Sequence, residues 1–150
     1  MASPLRFRNL DASPEDPVET WPFEGVLAAL ERGTLPDWRR LIVAIDEDPW
    51  GTVARKVEEA LRLELPYGVG PLLAAALADA RRRAAAADRE AVAVEVRQLI
   101  ERSGLSKAAF AERIGTSASR LSTYASGKVT PSAALLVRMR RITYAGSDAP

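Results

Sequence analysis

Apolar residues recur every three or four positions along most of this chain, which is the spacing of amphipathic helices. Glycine and proline residues divide the pattern into segments that are short enough to be single helices. No stretch alternates β-branched and polar residues in the way that strands do. The pattern therefore predicts an all-α protein. The predicted helices cover residues 23–33, 36–48, 52–65, a stretch from residue 72, 90–102, 107–114, 118–126 and 131–142.

The stretch after Gly70 and Pro71 is rich in alanine and meets no glycine or proline until Gly104. It could form one helix of about 30 residues, roughly 45 Å long. It could equally break near Asp88, which is a reasonable N-cap for a second helix. We favour a break or bend near Asp88.

The predicted helices fall into two groups with a proline-rich segment before them. Residues 1–22 contain four prolines among acidic and small polar residues, so we expect a flexible arm there. We expect a helical domain over residues 23–88, a second helical domain over residues 89–143 and a tail over residues 144–150. Gly146 and Pro150 argue against a helix in that tail.

The net charge of +1 hides an asymmetry between these two groups. Residues 1–88 carry 11 Lys and Arg against 15 Asp and Glu, whereas residues 89–150 carry 10 against 5. A basic region in a nearly neutral chain suggests a polyanionic partner for that region.

The chain contains neither cysteine nor histidine. Histidine acid–base chemistry, Ser-His-Asp triads and sites ligated by thiolate or imidazole are therefore excluded. We expect a protein that is not an enzyme and has no metal and no cofactor. We also find no signal peptide and no apolar run of about 18 residues, so we expect a soluble cytoplasmic protein with no membrane contact.

Residues 105–142 carry the most informative pattern. Ser106 can cap one short helix, Gly115 allows a sharp turn, and Thr116 or Ser117 can cap the next helix. Gly127 then ends that second helix. The predicted core positions of the pair are Phe110, Ala111, Ile114, Leu121 and Tyr124.

This pattern resembles the helix-turn-helix of the Xre/Cro-like, phage-lambda-repressor-like family over about residues 90–143. The resemblance implies a lambda-repressor-like helix-turn-helix domain, which would follow the N-terminal helical domain that the periodicity predicts. It implies that the second helix of the pair enters the major groove of double-stranded DNA. The residues that carry the resemblance are Leu105, Ser106, Phe110, Ala111, Arg113, Ile114, Gly115, Ser117, Leu121, Ser122, Tyr124, Ser126, Gly127, Lys128 and Pro131.

The resemblance also places the base-reading residues on the helix 118–126. Arg120 can donate a bidentate pair to guanine, whereas the hydroxyl groups can bond either kind of base. Ala118 and the methyl group of Thr123 can touch a thymine methyl group. The predicted base-reading residues are Ala118, Ser119, Arg120, Ser122 and Thr123.

Phosphate contacts are expected at the start of the first helix of the pair and around the ends of the second. Lys107 stands where relatives usually have glutamine, and a lysine there adds charge. The expected phosphate-binding residues are Ser106, Lys107, Ser117, Lys128 and Thr130.

The chain departs from the family pattern in two places. Ala125 stands where many relatives have an acidic residue that forms an ion pair within the domain, and the fifth helix of many relatives has no counterpart after residue 143.

Three other clusters have a functional and a structural interpretation. Arg81, Arg82 and Arg83 could touch flanking DNA, but a solvated helix face is favoured. The aromatic residues of the N-terminal half could form a partner surface, but a small helical core is favoured. The acids at residues 46–48 lie too close in sequence to converge on one ion, so a metal site is disfavoured.

We expect a sequence-specific DNA-binding transcription regulator that works as a homodimer, because one recognition helix reads only a few base pairs. The N-terminal helices would then dimerise or bind a partner or ligand. The alternative is the antitoxin of a toxin–antitoxin module, which would bind its own operator and a protein toxin. An enzyme, or an interaction module that no longer binds DNA, is less favoured.

Overall fold

The computed structural model describes residues 4–145 of the 150-residue chain. Those residues form seven α-helices and a short 3-10 helix, Val18–Thr20, and they contain no strand. The all-α prediction is confirmed. The helices are α1 (Phe23–Arg32), α2 (Leu35–Glu47), α3 (Thr52–Ala60), α4 (Val69–Ser103), α5 (Lys107–Ile114), α6 (Ala118–Ala125) and α7 (Ala133–Ala145).

The chain divides into two compact units, Met1–Ala84 and Ala85–Pro150, here called the N-terminal and the C-terminal unit. The division lies four residues before the boundary that the sequence suggested. Each unit has its own cluster of buried apolar side chains. The first part of α4 belongs to the N-terminal unit and its second part to the C-terminal unit.

The structure has one continuous helix where the sequence favoured a break. Asp88 lies exposed inside α4 and caps nothing. An aspartate inside a helix costs only about 0.7 kcal/mol relative to alanine. The alanines around Asp88 have the highest helix propensity of any residue, and no glycine or proline interrupts them. The favoured break at Asp88 is therefore wrong.

The core of the N-terminal unit lies between α1, α2, α3 and the start of α4. A capping box begins α2, in which the Thr34 backbone N–H donates to the Asp37 carboxylate at 2.9 Å. The fully buried large side chains are Trp21, Val26, Leu30, Leu41, Ile45, Val57 and Leu73.

Residues 4–22, expected to be a flexible arm, pack against this unit. The Trp21 indole is fully buried and donates to the carbonyls of Ser13 and Asp16, both at 3.1 Å. The Arg40 guanidinium lies 4.9 Å from the centre of the Trp21 ring and donates to the Pro14 and Asp16 carbonyls. These contacts satisfy the backbone of an irregular segment, so the segment is held without a helix or strand of its own.

The third helix is shorter than predicted and ends at Ala60 instead of residue 65. A residue that precedes proline is disfavoured in the α conformation, and Leu65 precedes Pro66. After Ala60 the chain turns at residues 61–63 and again at residues 67–68, and Leu63 and Tyr67 lie exposed.

The three arginines at residues 81–83 of α4 form ion pairs within the N-terminal unit. Arg81 donates to both carboxylate oxygens of Glu58, at 2.8 and 3.2 Å. Arg83 pairs with Asp46 and Asp79. This arrangement favours the structural interpretation of the cluster over a DNA contact.

The aromatic residues of this unit divide between core and surface. Trp21 is buried, and Phe23 and Trp38 pack partly buried against the core, as a core role predicts. Trp50 and Tyr67 are exposed instead.

The core of the C-terminal unit lies between the second part of α4 and α5, α6 and α7. Ser132 accepts from the Leu135 backbone N–H at 3.1 Å and so caps α7, which begins two residues after the predicted start at Pro131. The buried Thr143 hydroxyl donates to the Leu99 carbonyl at 3.0 Å. Residues 146–150 of the predicted tail, with Gly146 and Pro150, lie outside the described residues. The fully buried large side chains are Leu99, Phe110, Ile114, Leu121 and Met139.

A tight turn at Gly115 joins α5 to α6. Gly115 has φ 80° and ψ 36°, which is the left-handed region. The Gly115 N–H donates to the Glu112 carbonyl at 3.1 Å, and the Thr116 N–H donates to the Ala111 carbonyl at 2.9 Å. These two bonds form a Schellman motif, which ends α5 and turns the chain toward α6.

Replacing Gly115 with alanine should destabilise the C-terminal unit by about 1–2 kcal/mol, because a Cβ is strained at this φ. Asparagine tolerates the left-handed region better, so Gly115→Asn should lose less. Urea unfolding followed by circular dichroism measures both. A Cβ here would meet only Arg138 Nη1, at an ordinary 3.5 Å, so crowding is not the cause. Equal losses in the two variants would contradict an origin in the backbone conformation.

Candidate DNA interface

Helix α5, the first helix of the pair, packs one face into the core of the C-terminal unit. The Ser106 side chain accepts from the Ala109 backbone N–H at 3.1 Å and so caps α5. Phe110, Ala111 and Ile114 turn into the core. Lys107 lies exposed on the first turn of the helix. The bounds of α5 are those that the sequence predicted.

Helix α6 is held by few contacts and presents most of its surface to solvent. Ser117 accepts from the Arg120 backbone N–H at 3.1 Å and caps the helix. Leu121 and Tyr124 are its only buried residues. The predicted base-reading residues lie outside this buried pair: Ala118, Ser119, Arg120 and Ser122 are exposed, and Thr123 is half-buried.

The hydroxyl groups on α6 differ in what they do. The Ser122 hydroxyl donates to the Ala118 carbonyl at 3.1 Å, and the Thr123 hydroxyl donates to the Arg120 carbonyl at 2.6 Å. The Ser119 hydroxyl has no hydrogen bond to another described residue. The Arg120 side chain likewise has no ion-pair partner within residues 4–145. Arg120 is therefore the one long polar side chain that α6 offers to a ligand.

The loop after α6 folds back along that helix. Gly127 lies in the left-handed region with φ 79°, which ends α6. The Val129 backbone N–H then donates to the Thr123 carbonyl at 3.1 Å. Lys128 and Thr130 are exposed on either side of this anchored residue. The hydrogen bond therefore places Lys128 close to the end of α6.

Some arginines of the C-terminal unit bind carbonyl or carboxylate groups of the same unit, whereas others have no such partner among the described residues. Arg138 donates to the Ile114 carbonyl at 2.7 Å and so binds the last carbonyl of α5. Arg97 donates to the Ala125 carbonyl at 2.5 Å and to Glu90 at 3.2 Å. Sequence reasoning did not assign either role, since no local signal relates residues 24 and 28 positions apart.

Arg97 bears on the departure from the family pattern at Ala125. An alanine side chain cannot form the internal ion pair that many relatives have. Here the backbone carbonyl of Ala125 accepts a charge-assisted hydrogen bond from Arg97. The C-terminus of α6 is therefore tied to α4 by its backbone.

An ion pair on the surface connects α4 with α7. Arg140 Nε and Nη2 donate to the two Glu95 carboxylate oxygens at 2.6 and 3.1 Å. The hydrogen bond from Arg140, and then its charge, lower the pKa of the Glu95 carboxyl below its ordinary value. Arg140 is therefore a structural residue, whereas Lys107, Arg120 and Lys128 have no ion-pair partner among the described residues.

Comparison with known proteins identifies this arrangement. Residues 96–143 match the family model described as helix-turn-helix. The C-terminal unit carries a helix-turn-helix domain. The match begins within α4 and runs to α7, so it includes both helices of the pair and the turn between them. Neither the curated proteins nor the solved structures searched give a match to the chain.

The helix-turn-helix domain is of the Xre/lambda-repressor-like kind that the sequence resemblance predicted, and that prediction is confirmed. Proteins of this family bind DNA. In the domain, α5 and α6 are the helix pair and α6 occupies the position of the recognition helix.

The rest of the described chain adds two findings. No helix within residues 4–145 combines the length and the apolar character that a bilayer crossing requires. The same residues contain no group of acidic side chains placed to hold a metal ion.

The Glu95–Arg140 pair predicts a pH-dependent stability of the helix-turn-helix domain. A lowered folded-state pKa means that stabilisation is complete above the ordinary carboxyl value of 4.5 and is lost as the pH falls through the folded value. Glu95→Gln should therefore be less stable than the native chain near neutral pH. The difference should shrink as the pH falls from 4.5 through the lowered pKa of Glu95. Thermal unfolding across this range measures it, and a difference that stays constant would contradict the role of the pair.

Proposed function

We propose that this protein is a sequence-specific transcription regulator that inserts α6 into the major groove of DNA. The observation that carries the proposal is the exposed face of α6. One arginine without an ion-pair partner among residues 4–145 stands there among small side chains, on a helix that the core holds by only two residues. Arginine paired with guanine O6 and N7 is the commonest specific contact in the major groove. Arg120 is the residue that we assign to it.

The remaining base-reading residues are assigned by their exposure and size. Ala118 and Ser119 lie on the first turn of α6, which is the end of a recognition helix that approaches the base edges. Ser122 and Thr123 lie on its next turn. Small side chains allow the helix backbone to approach the groove floor closely, so the shape of the groove contributes to recognition.

Phosphate contacts are proposed at both ends of the helix pair. The cap residues Ser106 and Ser117 accept backbone hydrogen bonds, which leaves each hydroxyl proton available for a phosphate oxygen. Lys107 adds a charge beside the N-terminus of α5, where the helix dipole also favours an anion. Lys128 and Thr130 would contact a phosphate from the loop after α6.

A homodimer is part of the proposal, because a single recognition helix contacts too few base pairs to select one site in a genome. The expected operator then has two half-sites about one helical turn apart. Static light scattering of the free protein should give twice the mass of one chain. A protein that is monomeric in solution and binds its operator as a single copy would contradict this part.

The antitoxin alternative keeps the same DNA interface and adds a protein toxin that the N-terminal unit binds. One observation favours it, the exposure of Leu63, Tyr67 and Leu72 around the turn between α3 and α4. Exposed apolar side chains of this size are typical of surfaces that bind another protein. If the product of an adjacent reading frame arrests growth and this chain relieves the arrest, the antitoxin function is favoured.

Two substitutions separate base reading from phosphate binding. Arg120→Ala should reduce the preference for the operator over random DNA by about 1–3 kcal/mol, because it removes a bidentate base contact. Lys128→Ala should weaken binding to both DNAs and reduce the slope of log affinity against log salt by about 0.9. Fluorescence anisotropy at several salt concentrations measures both effects with the DNA upstream of the gene.

Arg82→Ala is the matched control, since it removes the same charge from the N-terminal unit. The Arg82 side chain is 70% exposed and pairs only with its helical neighbour Asp79 among the described residues. This control should leave the operator preference and the salt slope unchanged. If Arg120→Ala and Lys128→Ala behave like the control, the docking of α6 is wrong.

A further inference from the structure

We infer that Thr123 reads DNA through its γ-methyl group, against the C5-methyl group of a thymine, and not through its hydroxyl group. This inference rests on the proposed function and assigns a base to a second position of the same site. It follows from the direction of the hydrogen bonds on α6.

The Thr123 hydroxyl proton is already used within the helix. Its Oγ1 lies 2.6 Å from the Arg120 carbonyl oxygen, and a carbonyl oxygen can only accept. The hydroxyl must therefore be the donor in this bond. To donate to a base instead, Thr123 would have to give up a short bond that its own helix provides.

The same hydrogen bond fixes the orientation of the side chain. With Oγ1 held toward the preceding turn of α6, the other heavy atom on Cβ is the γ-methyl group, which points away from that carbonyl. Thr123 is half-buried, so part of the residue is accessible beside exposed Arg120. With its proton used in this way, the side chain can offer a base only its methyl group or a hydroxyl acceptor.

In the major groove, the γ-methyl group matches thymine, because thymine is the only base that presents a methyl group there. Thymine presents a C5-methyl group, and threonine methyl groups are among its apolar contacts. A guanine edge presents only acceptors there, and Thr123 has no free proton to offer it. Residues three apart on a helix are neighbours about 5–6 Å apart, so the thymine lies within about two base pairs of the guanine assigned to Arg120.

Other hydroxyl groups at the interface are used differently. Ser106 and Ser117 accept their hydrogen bonds as helix caps and so retain donors, as phosphate oxygens require. Ser122 donates to the Ala118 carbonyl but has no methyl group to present. Thr123 is therefore the only residue of α6 whose hydroxyl proton is donated within the helix and which also carries a methyl group.

The test changes the DNA as well as the protein. Binding sites are first selected from random DNA with the full chain, and each thymine near the Arg120-dependent guanine is then replaced singly by uracil, which lacks the C5-methyl group. At one of these positions uracil should weaken the native protein about fourfold, the value of one buried methyl group. Because this arm leaves the protein intact, it does not depend on how any variant folds.

Two variants of Thr123 give the matched comparison. Thr123→Val keeps a γ-methyl group and loses the hydroxyl, so it should remain sensitive to uracil at the same position. Thr123→Ser keeps the hydroxyl and loses the methyl group, so it should bind the thymine and uracil duplexes equally. Arg82→Ala, in the N-terminal unit, should retain the uracil sensitivity of the native protein.

The contradicting outcomes separate this inference from the proposed function. If selection gives a site but no uracil weakens binding, or if Thr123→Ser stays sensitive and Thr123→Val does not, the methyl assignment is wrong and the regulator remains. If the full chain selects no sequence at all, the proposed function is wrong and this inference is wrong with it.

Discussion

The burial of Leu121 and Tyr124 is the contact on which the helix-turn-helix domain depends. Helix α6 has only eight residues, and an isolated helix shorter than about 12–15 residues is marginal in water. Burying a large apolar side chain contributes about 1.5–3 kcal/mol. These two side chains, with the Ser117 cap and the turn at Gly115, therefore decide whether α6 exists and where it lies.

The small number of buried positions on α6 explains the composition of its exposed face. Because two positions hold α6, the others carry no requirement from the core and can be chosen for a ligand. They are small except for Arg120, and two of the hydroxyl groups are satisfied by the helix itself. A face of this kind offers few base contacts, so affinity in our account comes largely from phosphates and from the geometry of two half-sites.

Local features of the fold could be predicted from the sequence. Serine before a helix and glycine at a left-handed position have strong local preferences, so the bounds of α5 and the start of α6 were predicted correctly. The exposure of Arg120 followed from the spacing of Leu121 and Tyr124. The prediction at Asp88 failed because an N-cap and a helix interior differ there by little free energy, and the alanines on both sides decided the outcome.

Contacts between distant residues could not be predicted in this way. Arg140 meets Glu95 across 45 positions, and Arg40 reaches the Pro14 carbonyl across 26. Neither partner carries a local signal, and a backbone carbonyl as acceptor is not visible in a sequence at all. For this reason the sequence suggested a flexible arm over residues 1–22. It also could not show which basic residues of the C-terminal unit bind other residues of that unit and which remain free to bind a ligand among the described residues.

The most direct test of the account is methylation of guanine N7 by dimethyl sulfate, because that atom lies in the major groove and is the acceptor assigned to Arg120. On the selected operator, the native protein should protect one guanine in each of two half-sites about one helical turn apart. Arg120→Ala should leave those guanines reactive at concentrations that still occupy the DNA. Protection that is absent in the native complex would contradict the placement of α6 in the major groove. Protection that is unchanged in Arg120→Ala would contradict the contact assigned to Arg120.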